Sequence, residues 1–146
     1  MKTKLFETDN NYATLILRVV LGAIVFAHGY PKLGSGFAPF MAFMTDTLHM
    51  PAVLGWLTVL FETLGCALLV VGVATRINAA LLFALFVGII ASVHWSEGFF
   101  MNWFGQLEKG REGYEYHLLI LAVCAALVVQ GGGALSVDRL IISRKR

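Results

Sequence analysis

Four stretches of this chain, residues 13–30, 51–73, 77–95 and 116–134, are long, apolar and nearly free of charge. A helix rises about 1.5 Å per residue, so about 20 residues cross the ~30 Å hydrocarbon core of a bilayer. A strand crosses in roughly ten residues and alternates apolar with polar side chains; these runs do not alternate, so they read as helices. The rest of the composition agrees: 58% of residues are hydrophobic and 14% charged, more apolar surface than a water-soluble fold of 146 residues can hide. The expected fold is an all-α, polytopic four-transmembrane-helix bundle forming one domain over residues 1–146. The first run carries Arg18 and leads into His28, Tyr30, Pro31 and Lys32 instead of a small-residue cleavage site, so it reads as a retained helix.

Basic residues set the expected orientation. With four spans, both termini and the turn at 74–76 share one side, which collects Lys2, Lys4, Arg76, Arg139, Arg144, Lys145 and Arg146. The other side has Lys32, Lys109 and Arg111. Lys and Arg concentrate in cytoplasmic segments, which places both termini in the cytoplasm. The setting this implies is the bacterial cytoplasmic (inner) membrane.

The two outer loops carry their own signals. Phe37, Phe40, Met41, Met44 and Leu48 recur at helical spacing before Pro51, reading as a short interfacial helix or one folded back over the bundle. Trp95, Phe99, Phe100, Trp103 and Phe104 read as an aromatic belt at headgroup level. Glu108, Lys109, Arg111 and Glu112, with Gly110 and Gly113, then read as a solvated turn. A weak internal echo links the halves of the chain. Gly22 precedes His28 by six residues as Gly88 precedes His94, and the segment from Cys66 to Val71 resembles that from Cys124 to Val129. A repeated two-helix unit would set His28 and His94 at equal depth.

An ionisable group inside a span costs at least a few kcal/mol, so each needs a partner or a purpose. Arg18 and Glu62 are the two clear cases, on the first and second helices. Their backbones differ in depth by roughly 9 Å, a gap a stretched arginine closes. Either they form an ion pair that docks the two helices, or Glu62 handles protons or anchors a ligand headgroup. The stripes Arg18, Gly22, Val25, Gly29 and Glu62, Gly65, Cys66, Leu69, Gly72 allow close helix approach around these charges.

His28, His94 and His117 fall near the outer helix ends, with Lys32 and Glu115 close in sequence. Three histidines at one level either bond water and backbone, or hydrogen-bond a quinone carbonyl and carry its proton, or hold a metal or haem. Metal and haem have less support, because no H-E-x-x-H, no Glu-x-x-His and no carboxylate cage is present. Cys66 and Cys124 lie deep in apolar runs without ligand-like spacing and read as buried small hydrophobes. Ser92 lies near His94, but no carboxylate is placed to complete a nucleophile triad. Gly131-Gly132-Gly133 follows a helix and reads as its stop, not as a phosphate cradle. Arg144-Lys145-Arg146 is explained by topology, and nucleic-acid binding is unsupported.

The pattern Leu17-Arg18-x-x-Leu21-Gly22-x-x-x-Phe26-x-His28-Gly29-x-x-Lys32-Leu33 resembles the opening of the DoxX family of small bacterial membrane proteins. So do Glu62-x-x-Gly65 running on to Leu69, Gly72 and Thr75-Arg76, and Val93-His94 followed by Gly98-Phe99-Phe100. Gly113-Tyr114-Glu115-Tyr116 and Ser136-x-Asp138-Arg139-Leu140 continue the resemblance in order over nearly the whole chain. It departs at Gly131-Gly132-Gly133, where Gly-Pro-Gly is common, a change that touches a helix end only. The resemblance implies a four-helix membrane fold, and some members of the family are subunits of a quinone-linked oxidoreductase. Its polar positions fall here on Arg18, His28, Lys32, Glu62, Arg76, His94 and Glu115.

The expected activity is therefore quinone-linked oxidoreduction, by this chain or by a complex of which it is the membrane subunit. The cofactor would be ubiquinone or menaquinone, in the outer half of the bundle. His28 and His94 would bond its oxygens, with Glu62 and Arg18 below as proton relay or ion pair. Lys32, Trp95, Glu115 and His117 complete the expected binding set. The chain has no electron carrier of its own, so electrons would come from a donor protein or a small reductant. An accessory subunit of a larger membrane complex and a small-solute transporter are the alternatives. Besides membrane lipid, a homo-oligomeric partner is plausible on size, since four short helices bury little surface.

Overall fold

A computed structural model describes residues 8–108 and 111–143. Lys2, Lys4, Lys109, Gly110, Arg144, Lys145 and Arg146 lie outside the described residues. Asn11 starts the first helix, its side-chain oxygen accepting from the backbone N–H of Ala13 (2.8 Å) and Thr14 (3.4 Å). A helix start leaves its first N–H groups without partners, and an asparagine at this position fills two of them. From there α1 (Tyr12–Leu33) runs the length of the molecule, closing in a tighter 3-10 turn at Tyr30–Leu33 where Pro31 enters. After it come α2 (residues 37–47), α3 (Ala52–Val71), α4 (Thr75–Glu97), α5 (Glu115–Gln130) and α6 (Val137–Ser143). Among the described residues there is no strand.

Helices α1, α3 and α4 have 22, 20 and 23 residues and are long and apolar enough to cross a membrane. Their outward faces stay apolar: Ile16, Leu64 and Val87 are 61%, 54% and 45% exposed, which suits lipid and not water. The chain is a membrane protein. Helix α5 is shorter, 16 residues, and stops at Gln130, four residues before the end of the apolar run 116–134. Gly131 ends it with φ +82°, and the following segment folds back under the bundle.

The helices pack as a four-membered ring in the order α1, α3, α4, α5, with α1 held mainly on α3 and α4 mainly on α5. Close approach of α1 and α3 depends on glycine. A Cβ on Gly22 would sit 2.7 Å from Val70, and one on Gly29 would sit 2.7 Å from the Cβ of Glu62. Leu21, Val25, Leu69, Leu82, Phe86 and Leu127 fill the centre, together with Cys66 and Cys124, both free thiols and both fully buried.

At one end of the ring, which we call the arginine end, the fold turns on Arg18. The expected ion pair between Arg18 and Glu62 does not form. Arg18 is 1% exposed and spends its guanidinium on main-chain carbonyls. Nε donates to Gly132 (2.8 Å), Nη1 to Val70 and Leu69 (3.4 Å), and Nη2 to Ala134 (3.1 Å) and Leu135 (3.0 Å). The folded-back segment after α5 and the last turn of α3 supply these carbonyls; that of Leu69 also accepts from the N–H of Gly72 (3.0 Å). Arg76 repeats the device on α5, donating to Val128 and to Val129 (2.6 Å). Asp138, also 1% exposed, does the converse for α4: its carboxylate accepts from the N–H of Ala74 (2.7 Å) and Thr75 (2.8 Å).

Replacing Arg18 with Leu is expected to lower unfolding stability in detergent by about 2–4 kcal/mol, because several buried carbonyls lose their donor. Arg18→Lys should recover little of this, since an ammonium offers three donors on one point and not a planar fork. Thermal unfolding of the two variants against wild type decides it: equal midpoints for all three would remove Arg18 from this role.

Candidate functional site

The other end of the ring, the histidine end, is open. Two π-turns shape it, at Phe61–Gly65 in α3 and Ile90–His94 in α4. Each adds a residue to the helical ring, re-aiming the side chains beyond it; such turns recur at functional sites. Hydroxyls that bond back to their own helix accompany both: Thr58 to Leu54 (2.9 Å), Thr63 to Val59 (2.6 Å) and Ser92 to Gly88 (2.8 Å). Back-bonding of this kind bends helices. The half of α3 before Phe61 consequently leaves the ring and packs on α2, with the Phe37 and Trp56 rings 4.6 Å apart.

A cavity of about 650 Å³ opens between α1, α3, α4 and α5, with α2 along one side. Its walls are mostly apolar, with Val25, Phe40, Met44, Leu57, Phe86 and Ile120 among them. Six of its lining residues ionise: His28, Lys32, Glu62, His94, Glu112 and His117. A mostly apolar pocket with a few converging polar groups is the usual form of a small-molecule site.

Glu62 is 4% exposed and its counter-ion is Lys32, which forms a salt bridge and hydrogen bond with the carboxylate. Lys32 also sits 4.4 Å over the ring of Phe40, joining the end of α1 to both α3 and α2. The sequence hid this pair because Lys32 lies beyond the apolar run; the 3-10 turn at Tyr30–Leu33 brings it back over the bundle.

The His94 and His117 rings touch at a tilt of 37°, centroids 4.1 Å apart, and the ring of Phe86 flanks His117 at 5.8 Å. His94 Nδ1 is 2.7 Å from the carbonyl of Glu112. A carbonyl only accepts, so Nδ1 carries a proton, and in the neutral ring Nε2 is left as acceptor. Nδ1 of His117 is buried and has no hydrogen-bond partner among the described residues. Buried polar atoms are nearly always paired, and this exception belongs to a residue that lines the cavity. His28 also lines the cavity and is exposed.

Of the residues expected from sequence to form a site, His28, Lys32, Glu62, His94 and His117 meet at this cavity. Three do not line it. Arg18 is committed to the arginine end. Trp95 is 68% exposed and stacks on Tyr114 at 5.5 Å. Glu115 accepts from Met101 N–H (3.2 Å) and Trp103 Nε1 (3.1 Å), pinning the 97–107 loop. Glu112, expected in a solvated turn, instead reaches the cavity and accepts from Asn102 N–H (2.6 Å). Thr58, Ser92 and Tyr116 also line it. Nothing in a sequence spacing separates these from ordinary span residues. Among the described residues no three His, Cys, Asp or Glu side chains converge as a metal site.

The family model described as DoxX matches residues 13–95, more than half of the chain. The chain is also similar to a Bacillus subtilis protein named "Putative oxidoreductase CatD", at 28% identity over 133 residues, covering 91% of this chain and 90% of that protein. No solved structure matches it.

Lys32→Met leaves the Glu62 carboxylate buried without its counter-ion, whereas Lys32→Met/Glu62→Gln removes both charges. The single variant is expected to be less stable than the double by about 1–3 kcal/mol in detergent, read from a double-mutant cycle completed with Glu62→Gln. Additive effects would mean that the two side chains do not interact.

Proposed function

The chain belongs to the DoxX family, and from that premise we propose that it is a quinone-linked membrane oxidoreductase, or the membrane subunit of one. The similarity to a protein named an oxidoreductase supports a redox role. The observation that carries the quinone reading is the cavity at the histidine end, largely apolar and lined by His28, His94 and His117. A quinone headgroup has that character: a flat apolar ring with carbonyl oxygens at opposite edges. The residues present fit it.

A bound quinone, ubiquinone or menaquinone, would supply reversible two-electron, two-proton chemistry. The chain's own groups bind, orient and handle protons. A ring N–H of His117 donates to one ligand oxygen, and His28 stands on the same cavity wall as a second donor. His94 is fixed by its bond to the Glu112 carbonyl, which leaves Nε2 for proton exchange, with the His117 ring beside it. Lys32 and Glu62 form a paired donor and acceptor at the same wall, able to hold a proton between ammonium and carboxylate. Phe40, Phe43 and Met44 on α2 shield the cavity from water. Arg18 takes no part in this chemistry. Electrons come from a donor protein or a small reductant, since the chain offers no carrier.

The same reading places the protein in the bacterial cytoplasmic membrane with four crossings, α5 included. Both termini and the Arg76 end then face the cytoplasm, by the excess of Lys and Arg there. The cavity opens in the outer half, with α2 along the membrane interface.

Organic extraction and mass spectrometry of detergent-purified protein test the proposal. Wild type should yield quinone near one per chain, His28→Ala/His94→Ala and His117→Phe several-fold less, and the absorption spectrum of the same sample should show no haem. A wild-type sample without quinone, even after incubation with excess, would overturn it in favour of an accessory subunit.

A further inference from the structure

Access to the cavity is decided by where its wall is missing. Helix α4 packs on α3 chiefly through residues 61–71; before Phe61 the two helices part. The residues that line the cavity along this gap are also exposed. Leu54 and Leu57 of α3 and Leu81 of α4 are 42%, 38% and 38% exposed, and Ala84 and Gly88 are exposed beside them. Residues that both line a cavity and are exposed mark its openings: Ile24 and His28 mark one along α1, and the five just named mark a second, between α3 and α4. This mouth faces sideways, on the apolar flank of helices long enough to cross a bilayer, and every residue named on its rim is uncharged. Gly88 sets its width on the α4 side: a Cβ built there meets no atom within 4 Å, so its lack of a side chain is not required by packing.

We infer that the cavity opens laterally into the lipid between α3 and α4, and that its ligand is tailed, with its headgroup at the histidines and its isoprenoid chain passing out over Gly88. This rests on the quinone reading above and deepens it. A cavity of about 650 Å³ takes a ring and a short length of chain; the remainder of a membrane quinone's tail has to leave the protein. The only apolar medium beside the mouth is the acyl region of the bilayer, and leaving the tail there keeps its apolar surface out of water at about 0.8 kcal/mol per CH₂. A hydrophilic solute would meet this opening from the wrong phase.

The test compares binding of full-length ubiquinone and of the same ring without its tail, in lipid nanodiscs, for wild type, Gly88→Ala and Gly88→Phe. Bound quinone is read by extraction and mass spectrometry, without any turnover assay. Wild type and Gly88→Ala should bind both probes, full-length ubiquinone more tightly. Gly88→Phe should lose full-length ubiquinone by at least about tenfold while keeping the ring. If Gly88→Phe holds both probes as wild type does, the lateral mouth is overturned and the quinone reading stands. If wild type holds neither, both fail together. Circular dichroism and the unfolding midpoint check that Gly88→Phe is folded; should it not be, Leu57→Trp narrows the same mouth from α3 with the same expected pattern.

Discussion

A guanidinium inside an apolar bundle must place five N–H groups on acceptors, and Arg18 does so on main-chain oxygens. The cost of leaving it unpaired in hydrocarbon is several kcal/mol, and much of the arginine end is arranged around that need. Helix α5 stops at Gln130, and Gly132, Ala134 and Leu135 turn their carbonyls toward Arg18. Gly72, with φ +73°, ends α3 where the Val70 carbonyl accepts from Arg18. The same glycine leaves no room for a side chain, since a Cβ there would meet the Cβ of Ser136 at 2.5 Å. Asp138 then supplies acceptors to the opposite kind of helix end, the start of α4. Opposite charges are buried close together, each satisfied by backbone.

With one end closed in this way, the histidine end is free to be hollow. The α1–α3 contact is tight as far as Gly29 against Glu62. Beyond it, the π-turn at Phe61–Gly65 lets α3 diverge. Glu62 sits at the junction, part of the tight contact on its backbone side and part of the cavity wall at its carboxylate. Lys32 bridges the gap from the far end of α1, so this ion pair also limits how far α3 swings out.

Much of this was legible in the sequence. Apolar run length gives α1, α3 and α4 to within a few residues, and the rule that buried charge needs a partner singled out Arg18 and Glu62. It failed in naming the partners. An Arg18–Glu62 pair suggests itself because carboxylates are visible in a sequence while free helix-end carbonyls are not; every residue has one. Lys32 is legible as a member of the site but not as the partner of Glu62, because a 3-10 turn after an apolar run has no signature beyond Pro31. The three histidines, each near the outer end of its run, line one cavity. The contact of His94 with His117 and the recruitment of Glu112 depend on helix rotation, which the π-turn at Ile90–His94 changes and which periodicity alone does not report.

The partners of Arg18 also impose an order on biosynthesis. Gly132 and Ala134 follow it in the chain by 114 and 116 residues, so the first helix reaches the membrane long before its arginine has those acceptors. Until α5 and the segment after it arrive, the guanidinium has to stay within reach of interfacial water or insertion-machinery groups. Helix α1 therefore cannot settle to its final depth as an independent unit. Its arrival at that depth coincides with completion of the ring, which makes Arg18 a sensor of whether the whole chain has been delivered.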